Sequence, residues 1–177
     1  MRRRTLLAHG FALTPLAALM LSACGDDGDW AEGMLPIKWD RDTCLHCMMV
    51  ISDRRFAVEI RGGHRNDAFK FDDIGCAATW RVEKMNQYPW LAQTDFGFWV
   101  ADYATHGKKW LNALNAHYVN GPTSPMAYNY SATAELQAGS VDYETMAKKT
   151  SSFWPAGCTP GKAEAPNLPH TTSSQKI

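Results

Sequence analysis

The stretch Cys44-Leu45-His46-Cys47-Met48-Met49 gathers two thiols, an imidazole and two thioethers within a single short segment. Its C-x-x-C spacing lets a tight turn aim both sulfurs at one centre. Thiolates and thioethers are soft ligands that select copper(I), whereas zinc accepts thiolate and imidazole and makes little use of thioether. A zinc ribbon would need a second C-x-x-C or a Cys/His pair, and the sequence contains neither. Iron–sulfur clusters commonly take four thiolates, and the remaining cysteines lack a matching spacing. Ligand type therefore favours copper(I), with Cys44, His46, Cys47, Met48 and Met49 as candidate ligands. Two other readings stay open: a thiol–disulfide oxidoreductase using Cys44 and Cys47, and a structural protein in which those cysteines merely close a turn. Methionines also serve as fillers of irregular core gaps.

The compartment bears on that choice. The chain has 177 residues, and residues 1–23 have the layout of a targeting segment. Arg2, Arg3 and Arg4 precede an apolar run from Leu6 to Leu21 that His9 and Pro15 interrupt. The run is short and broken for a membrane span, and small residues before a cleavage point suit a signal peptidase. Leu21-Ser22-Ala23-Cys24 resembles a bacterial lipobox, which would make Cys24 a lipidated N-terminus on a periplasm-facing membrane, with the outer membrane expected. The competing reading is an ordinary signal peptide with a coincidental cysteine. Outside the cytoplasm, bare thiols tend toward disulfides. Cys44, Cys47, Cys76 and Cys158 permit three complete pairings, and a Cys76–Cys158 bridge stays open. A thioether cannot be lost that way, so a cysteine–methionine site suits an oxidising space.

The charge balance excludes one class of partner. Lys plus Arg number 18 and Asp plus Glu number 18, so removal of the three leader arginines leaves the remainder acidic. No basic stripe is available to compensate nucleic-acid phosphates. No second apolar run is long enough to span a bilayer. No serine or histidine has a catalytic partner and no glycine-rich phosphate loop is present, so a non-enzymatic protein is expected.

These ligands need elements to position them. Residues 24–39 are polar and rich in Gly and Asp, which suits a disordered tether. Phe56–Ile60 and Ala68–Phe71 suit two strands of a hairpin turned at Gly62-Gly63 and Asn66-Asp67. Asp72 or Asp73 can cap a helix that presents Ile74, Ala77, Ala78, Val82 and Met85 on one face and turns Arg81, Glu83 and Lys84 outward. Phe96–Tyr103 suits a third strand, completing a β-β-α-β unit over residues 40–104. Residues 105–154 begin again with short strands at Trp110–Ala113 and His117–Val119. A Gly/Pro loop follows, delivering Met126, then a strand within Tyr128–Leu136 and a helix over Val141–Lys149. From residue 155 to 177 the composition suits a disordered tail that carries Cys158. The fold class is thus α+β. His64, His106, His117 and His170 have no evident partner and are read as surface or packing residues, and Cys76 as a structural thiol on a buried helix.

The wording of Asp40–Ala57, with Cys44-Leu45-His46-Cys47-Met48-Met49 at its centre, resembles the opening signature of the NosL family, copper lipoproteins that assist maturation of nitrous oxide reductase. Phe71-Asp72-Asp73-Ile74-Gly75-Cys76 and Trp99–Tyr103 followed by Ser124-Pro125-Met126 match in the same order, after a lipobox the family also carries. The resemblance spans about residues 40–130. It implies a copper(I) metallochaperone serving nitrous oxide reductase together with a membrane ABC-type assembly complex. It also implies two small β-β-α-β units in tandem, although Tyr128–Lys149 is short for a second complete one. Carried over by position, Cys47, Met49 and Met126 are the implied ligands, with Cys44 and His46 as second choices. Met48 departs from the pattern, standing where glycine is usual.

Overall fold

The computed structural model describes residues 29–151. The expected signal peptide, Cys24, Cys158 and the expected tail from residue 155 lie outside the described residues. The architecture is α+β, with two antiparallel sheets and two α-helices.

Strands β1 (Val58–Gly62) and β2 (Asp67–Phe71) form the expected hairpin, and the connection Asp72-Asp73 leads directly into helix α1 (Ile74–Lys84). Strand β3 (Gly97–Ala101) pairs with β1. Strand β4 (Trp110–Asn112) was expected to open a second unit, but it adds to β3, giving the order β2-β1-β3-β4. The boundary at residues 104/105 is therefore crossed by strand hydrogen bonds. Strands β5 (His117–Asn120) and β6 (Tyr130–Thr133) form a separate ribbon, followed by helix α2 (Tyr143–Ser151). The second half is reduced to β-β-α among the described residues, as its length suggested.

Side-chain alternation gives the four-stranded sheet two different faces. In register, Val58 faces Phe71 and Val100, while Ile60 faces Phe69 and Phe98. This apolar face lies under α1, whose Trp80 ring meets Phe69 at 4.7 Å and Phe71 at 5.4 Å. The helix is buried all round from Ile74 to Trp80, because α2 and β6 cover its far side. Past that contact it emerges, and Val82, expected on the buried face, is 59% exposed.

The opposite face carries Glu59, Lys70 and Trp99 in register. A polar row of this kind needs a cover that brings hydrogen bonds. The segment from residue 29 supplies it, so the tether expected over residues 24–39 is folded onto the sheet from Asp29 onward. Met34 and Ile37 are buried, the Leu35 amide donates to Glu59 Oε1 at 2.8 Å, and Lys70 Nζ donates to the Pro36 carbonyl at 2.7 Å and to Asp42 at 2.6 Å. The polarity of residues 24–39 hid two apolar anchors, Met34 and Ile37, and two backbone partners for the sheet, the Leu35 amide and the Pro36 carbonyl.

Glu59 is fully buried and its Oε2 finds no hydrogen-bond partner among the described residues. Burial pushes its carboxyl up to about 7, against the pull of the Leu35 amide. The folded state thus holds a proton that the unfolded chain releases near its ordinary value, so stability falls as pH rises from about 4.5 through about 7. Glu59→Gln keeps the acceptor for Leu35 and removes the charge. Thermal unfolding should show Glu59→Gln more stable than wild type at pH 8, on the order of 1–3 kcal/mol, with the gap closing at pH 4. A variant equally stable at both pH values would contradict this reading of Glu59.

Candidate metal centre

The motif residues fold as a closed loop. Thr43 and Val50 bridge antiparallel, the Cys44 amide donates to the Met49 carbonyl at 2.8 Å, and the Met48 amide donates to the Cys44 carbonyl at 3.0 Å. A turn this tight requires a left-handed residue, and Met48 takes it, with φ of 65°. That is the reason glycine suits this position, since a side chain there crowds the backbone. One further bond fixes the loop in space: the Leu45 amide donates to the Lys70 carbonyl on the edge of β2 at 2.9 Å. The loop is thereby held beside the point where β2 gives way to Asp72 and α1.

Four donors converge at that junction. The sulfurs of Cys44, Cys47 and Cys76 and a carboxylate oxygen of Asp72 all lie within 4.8 Å of one another. A tetrahedral ion with bonds near 2.3 Å needs donors roughly 3.8 Å apart, so the group has the dimensions to hold one metal ion. Cys44 and Cys76 are fully buried, Cys47 is half-buried, and all three are free thiols. Cys47 is thus the member of the group nearest to solvent. Its Sγ lies 3.4 Å from both carboxylate oxygens of Asp72.

Crowding sets the protonation of the group. Hydrogen bonding from Cys44, and then from Cys76, pulls the Cys47 thiol down to about 4. The same sharing, with Cys44 first and Cys47 second, and then burial, pushes Cys76 far up. Burial first, and the neighbouring thiol second, pushes Asp72 up to about 7. Hydrogen bonding within the cluster thus favours the charged form of Cys47, its half-buried member, while burial favours the neutral form of Asp72. A thiophilic cation held here would meet Cys47 first and be closed in by Cys44 and Cys76 behind it, with the release of any thiol protons.

The adjacent acid has a different task. Asp73 caps α1 by accepting from the Gly75 amide at 3.0 Å, and also accepts from Ser124 Oγ at 2.5 Å and the Met126 amide at 3.2 Å. This carries the loop 121–127, from the other half of the chain, to the residue beside Asp72. Tyr128 packs flat on Gly75, where an added Cβ would sit 2.2 Å from the ring.

Of the sequence-derived ligands, the structure unites Cys44 and Cys47. It brings the half-buried Met126 to Asp73, and leaves Met48 and Met49 on the loop surface, 62% and 47% exposed. His46 is buried but stands outside the four-donor group, its Nδ1 3.8 Å from Glu83 on α1. Sequence reasoning assigned Asp72 only to capping and treated Cys76 as a structural thiol, and the structure places both in the cluster. One acid suffices to cap a helix, so the doubled Asp72-Asp73 was the available signal. His64 and His106 are exposed and His117 is half-buried, none of them near the group, while His170 lies outside the described residues. Set against sequence families, curated proteins and solved structures, the chain matches none of them.

Three outcomes are expected. Cys76→Ala should lower affinity for a thiophilic ion at least about tenfold in a chelator competition, and unchanged affinity would remove Cys76 from the centre. Met48→Gly should raise the denaturation midpoint of the metal-free protein, by up to about 1 kcal/mol of stability, and a lower midpoint would contradict the strain assigned to that turn. Glutathione disulfide should oxidise the metal-free protein through Cys47 to an internal disulfide, leaving one alkylatable thiol among the clustered three by peptide mass. Three alkylatable thiols after that treatment would contradict their mutual reach.

Proposed function

We propose that this protein is a copper(I) carrier on a periplasm-facing membrane, lipidated at Cys24, that loads and releases its ion at the Cys44/Cys47/Cys76 cluster. The single observation that carries the reading is three free cysteines gathered at one point, one of them half-exposed, beside a loop rich in thioethers. Copper(I) is the ion whose softness fits sulfur donors throughout. Met49 and Met48 on the rim, and Met126 on the facing loop, offer weaker thioether ligands through which an ion can be passed inward or handed out. Asp72 is too hard a ligand to rank with the sulfurs for copper(I), and its role in this reading is to take and hold the proton that Cys47 gives up. The likeness to the NosL signature extends the proposal to nitrous oxide reductase as client and an ABC-type membrane complex as co-worker. In this reading the protein carries out no covalent chemistry.

Zinc is the alternative ion that a specific observation favours, because three thiolates and one carboxylate are an acceptable tetrahedral set for it. The redox reading draws on the lowered Cys47 thiol. Against it, both of its neighbours are fully buried, and the C-x-x-C closes a turn instead of opening a helix.

Competition titrations with copper(I) and zinc(II) on wild type, Asp72→Asn, Met49→Ala and Met126→Ala separate these readings. For a copper(I) carrier, the methionine variants bind copper(I) more weakly by about tenfold each, while Asp72→Asn changes copper(I) affinity little and lowers zinc affinity sharply. Indifference to both methionines, together with micromolar or weaker copper(I) binding, would contradict the proposal.

A further inference from the structure

We infer that the outer edge of β2, with the groove that Leu35 and Leu45 line beside it, is a docking site for an extended, apolar segment of another protein, which joins the sheet as a fifth strand. The docking does not depend on which ion the thiol cluster holds.

Strand register shows which backbone groups lie on that edge. The Ala113 amide donates to the Phe98 carbonyl and the Ala101 amide to the Ala57 carbonyl, which fixes the alternation across the sheet. Phe98 and Val100 turn their backbone groups to β4, Gly97 and Trp99 turn theirs to β1, and Val58, Ile60 and Gly62 turn theirs to β2. Ala68 and Lys70, opposite Arg61 and Glu59, therefore point theirs away from β1. The Leu45 amide takes the Lys70 carbonyl at 2.9 Å, as that direction requires. The Ala68 amide and carbonyl and the Lys70 amide meet no partner among the described residues, and β2 stands last in its sheet.

Edges of this kind are commonly guarded by a charge, a proline or a covering element. The one cation on β2 is withdrawn from that task, because Lys70 Nζ is held by the Pro36 carbonyl and Asp42. The surroundings are apolar instead. Among the described residues seven large hydrophobic side chains are exposed, and five of them, Leu35, Leu45, Met48, Met49 and Val50, belong to the two segments tied to Lys70. Leu35 and Leu45 border a groove of about 300 Å³ that Ala68, Phe69 and Lys70 also line. Open main-chain donors and acceptors select an extended segment, and the apolar side chains beside them select apolar residues within it.

A second copy of the chain does not suit the edge. Antiparallel pairing of two β2 strands about Ala68 would set Asn66 of one copy against Lys70 of the other, and Leu45 already stands there. A foreign segment that crosses Ala68 and leaves the edge at Lys70 meets no such obstacle. It leaves beside the loop 44–49, with the exposed Met48 and Met49 and the half-buried Cys47. On the carrier reading proposed above, on which this consequence alone rests, such a strand aligns the donor or recipient of the ion with the mouth of the cluster.

Amide exchange of the full chain, resolved by residue with NMR, tests the open edge first. The Ala68 and Lys70 amides should exchange at least about a hundredfold faster than those of Phe69 and Phe71, which bond to β1. Slow exchange at both in the chain alone would mean that a segment of its own fills the edge, and would overturn the inference. Selection from a random dodecapeptide display library on the immobilised full chain then supplies the probe. Enriched peptides should alternate apolar residues without proline, slow exchange at Ala68 and Lys70 when bound, and bind at least about tenfold more weakly to Ala68→Pro. That change removes a donor that points away from β1, so the β1–β2 ladder survives it. Should Ala68→Pro lower the unfolding midpoint, Leu35→Ser decides, with binding weakened at least about fivefold while the Leu35 backbone bond to Glu59 stays. No enrichment, peptides that protect another part of the chain, or binding indifferent to the deciding variant would overturn the inference. So would sedimentation of the chain as a dimer that Ala68→Pro dissociates. None of these readouts involves the metal, so failure of copper(I) binding and failure of the docking edge are told apart.

Discussion

The carboxylate of Asp73 receives three donors that come from both halves of the chain: the Gly75 amide at the start of α1, the Ser124 hydroxyl and the Met126 amide. It is fully buried, and these bonds replace the water it gives up. Burial still pushes it up to about 6, with the three donors pulling the other way. A buried acid held by so many donors has one acceptable position, and that position sets everything around it. It starts α1, which puts Cys76 in the first turn facing the motif loop. It draws the loop 121–127 against the same junction, and Tyr128 then seals the contact by lying on Gly75. Asp72 has no comparable set of donors, which leaves it turned to the thiols.

The cluster follows from two short-range constraints meeting at this junction. The loop 44–49 is closed by its own backbone bonds and pinned to β2 through Leu45, while Cys76 arrives from α1. Because Cys44 and Cys76 are buried and Cys47 is only half-buried, the site has a direction, with an exposed thioether rim, one accessible sulfur, and two covered sulfurs behind it. The proposed carrier role calls for such a gradient, since an ion enclosed on all sides is stored and an ion held only at the rim is lost.

Much of this was legible in the residues. Strand-suited residues in Phe56–Ile60 and Ala68–Phe71 with a turn between them, and a cap at Asp72 or Asp73, marked β1, β2 and α1 within a few positions, since hairpin turns and helix caps are local features. The soft-ligand loop was legible because its members are adjacent. The N-terminal cover was not, because Met34 and Ile37 are isolated among polar residues and their burial depends on the polar face of a sheet formed later in the chain. The addition of β4 to the first sheet was hidden for the same reason, as strand pairing across Tyr103–Lys109 is a tertiary choice. Val82 misled because periodicity reports which side of a helix is apolar and cannot report where its packing partner ends. Cys76 and Asp72 were visible as residues, but their meeting with Cys44 and Cys47 arises from long-range ties of the motif to Lys70, through the Leu45 amide and the Asp42 carboxylate, that no local pattern encodes.

X-ray absorption at the copper edge, on the protein loaded with one equivalent of copper(I), tests the central claim most directly. The account predicts a first shell made only of sulfur, with a sulfur lost when Cys76 is replaced by Ala. A shell containing oxygen or nitrogen in place of those sulfurs, or one unchanged by that replacement, would contradict it.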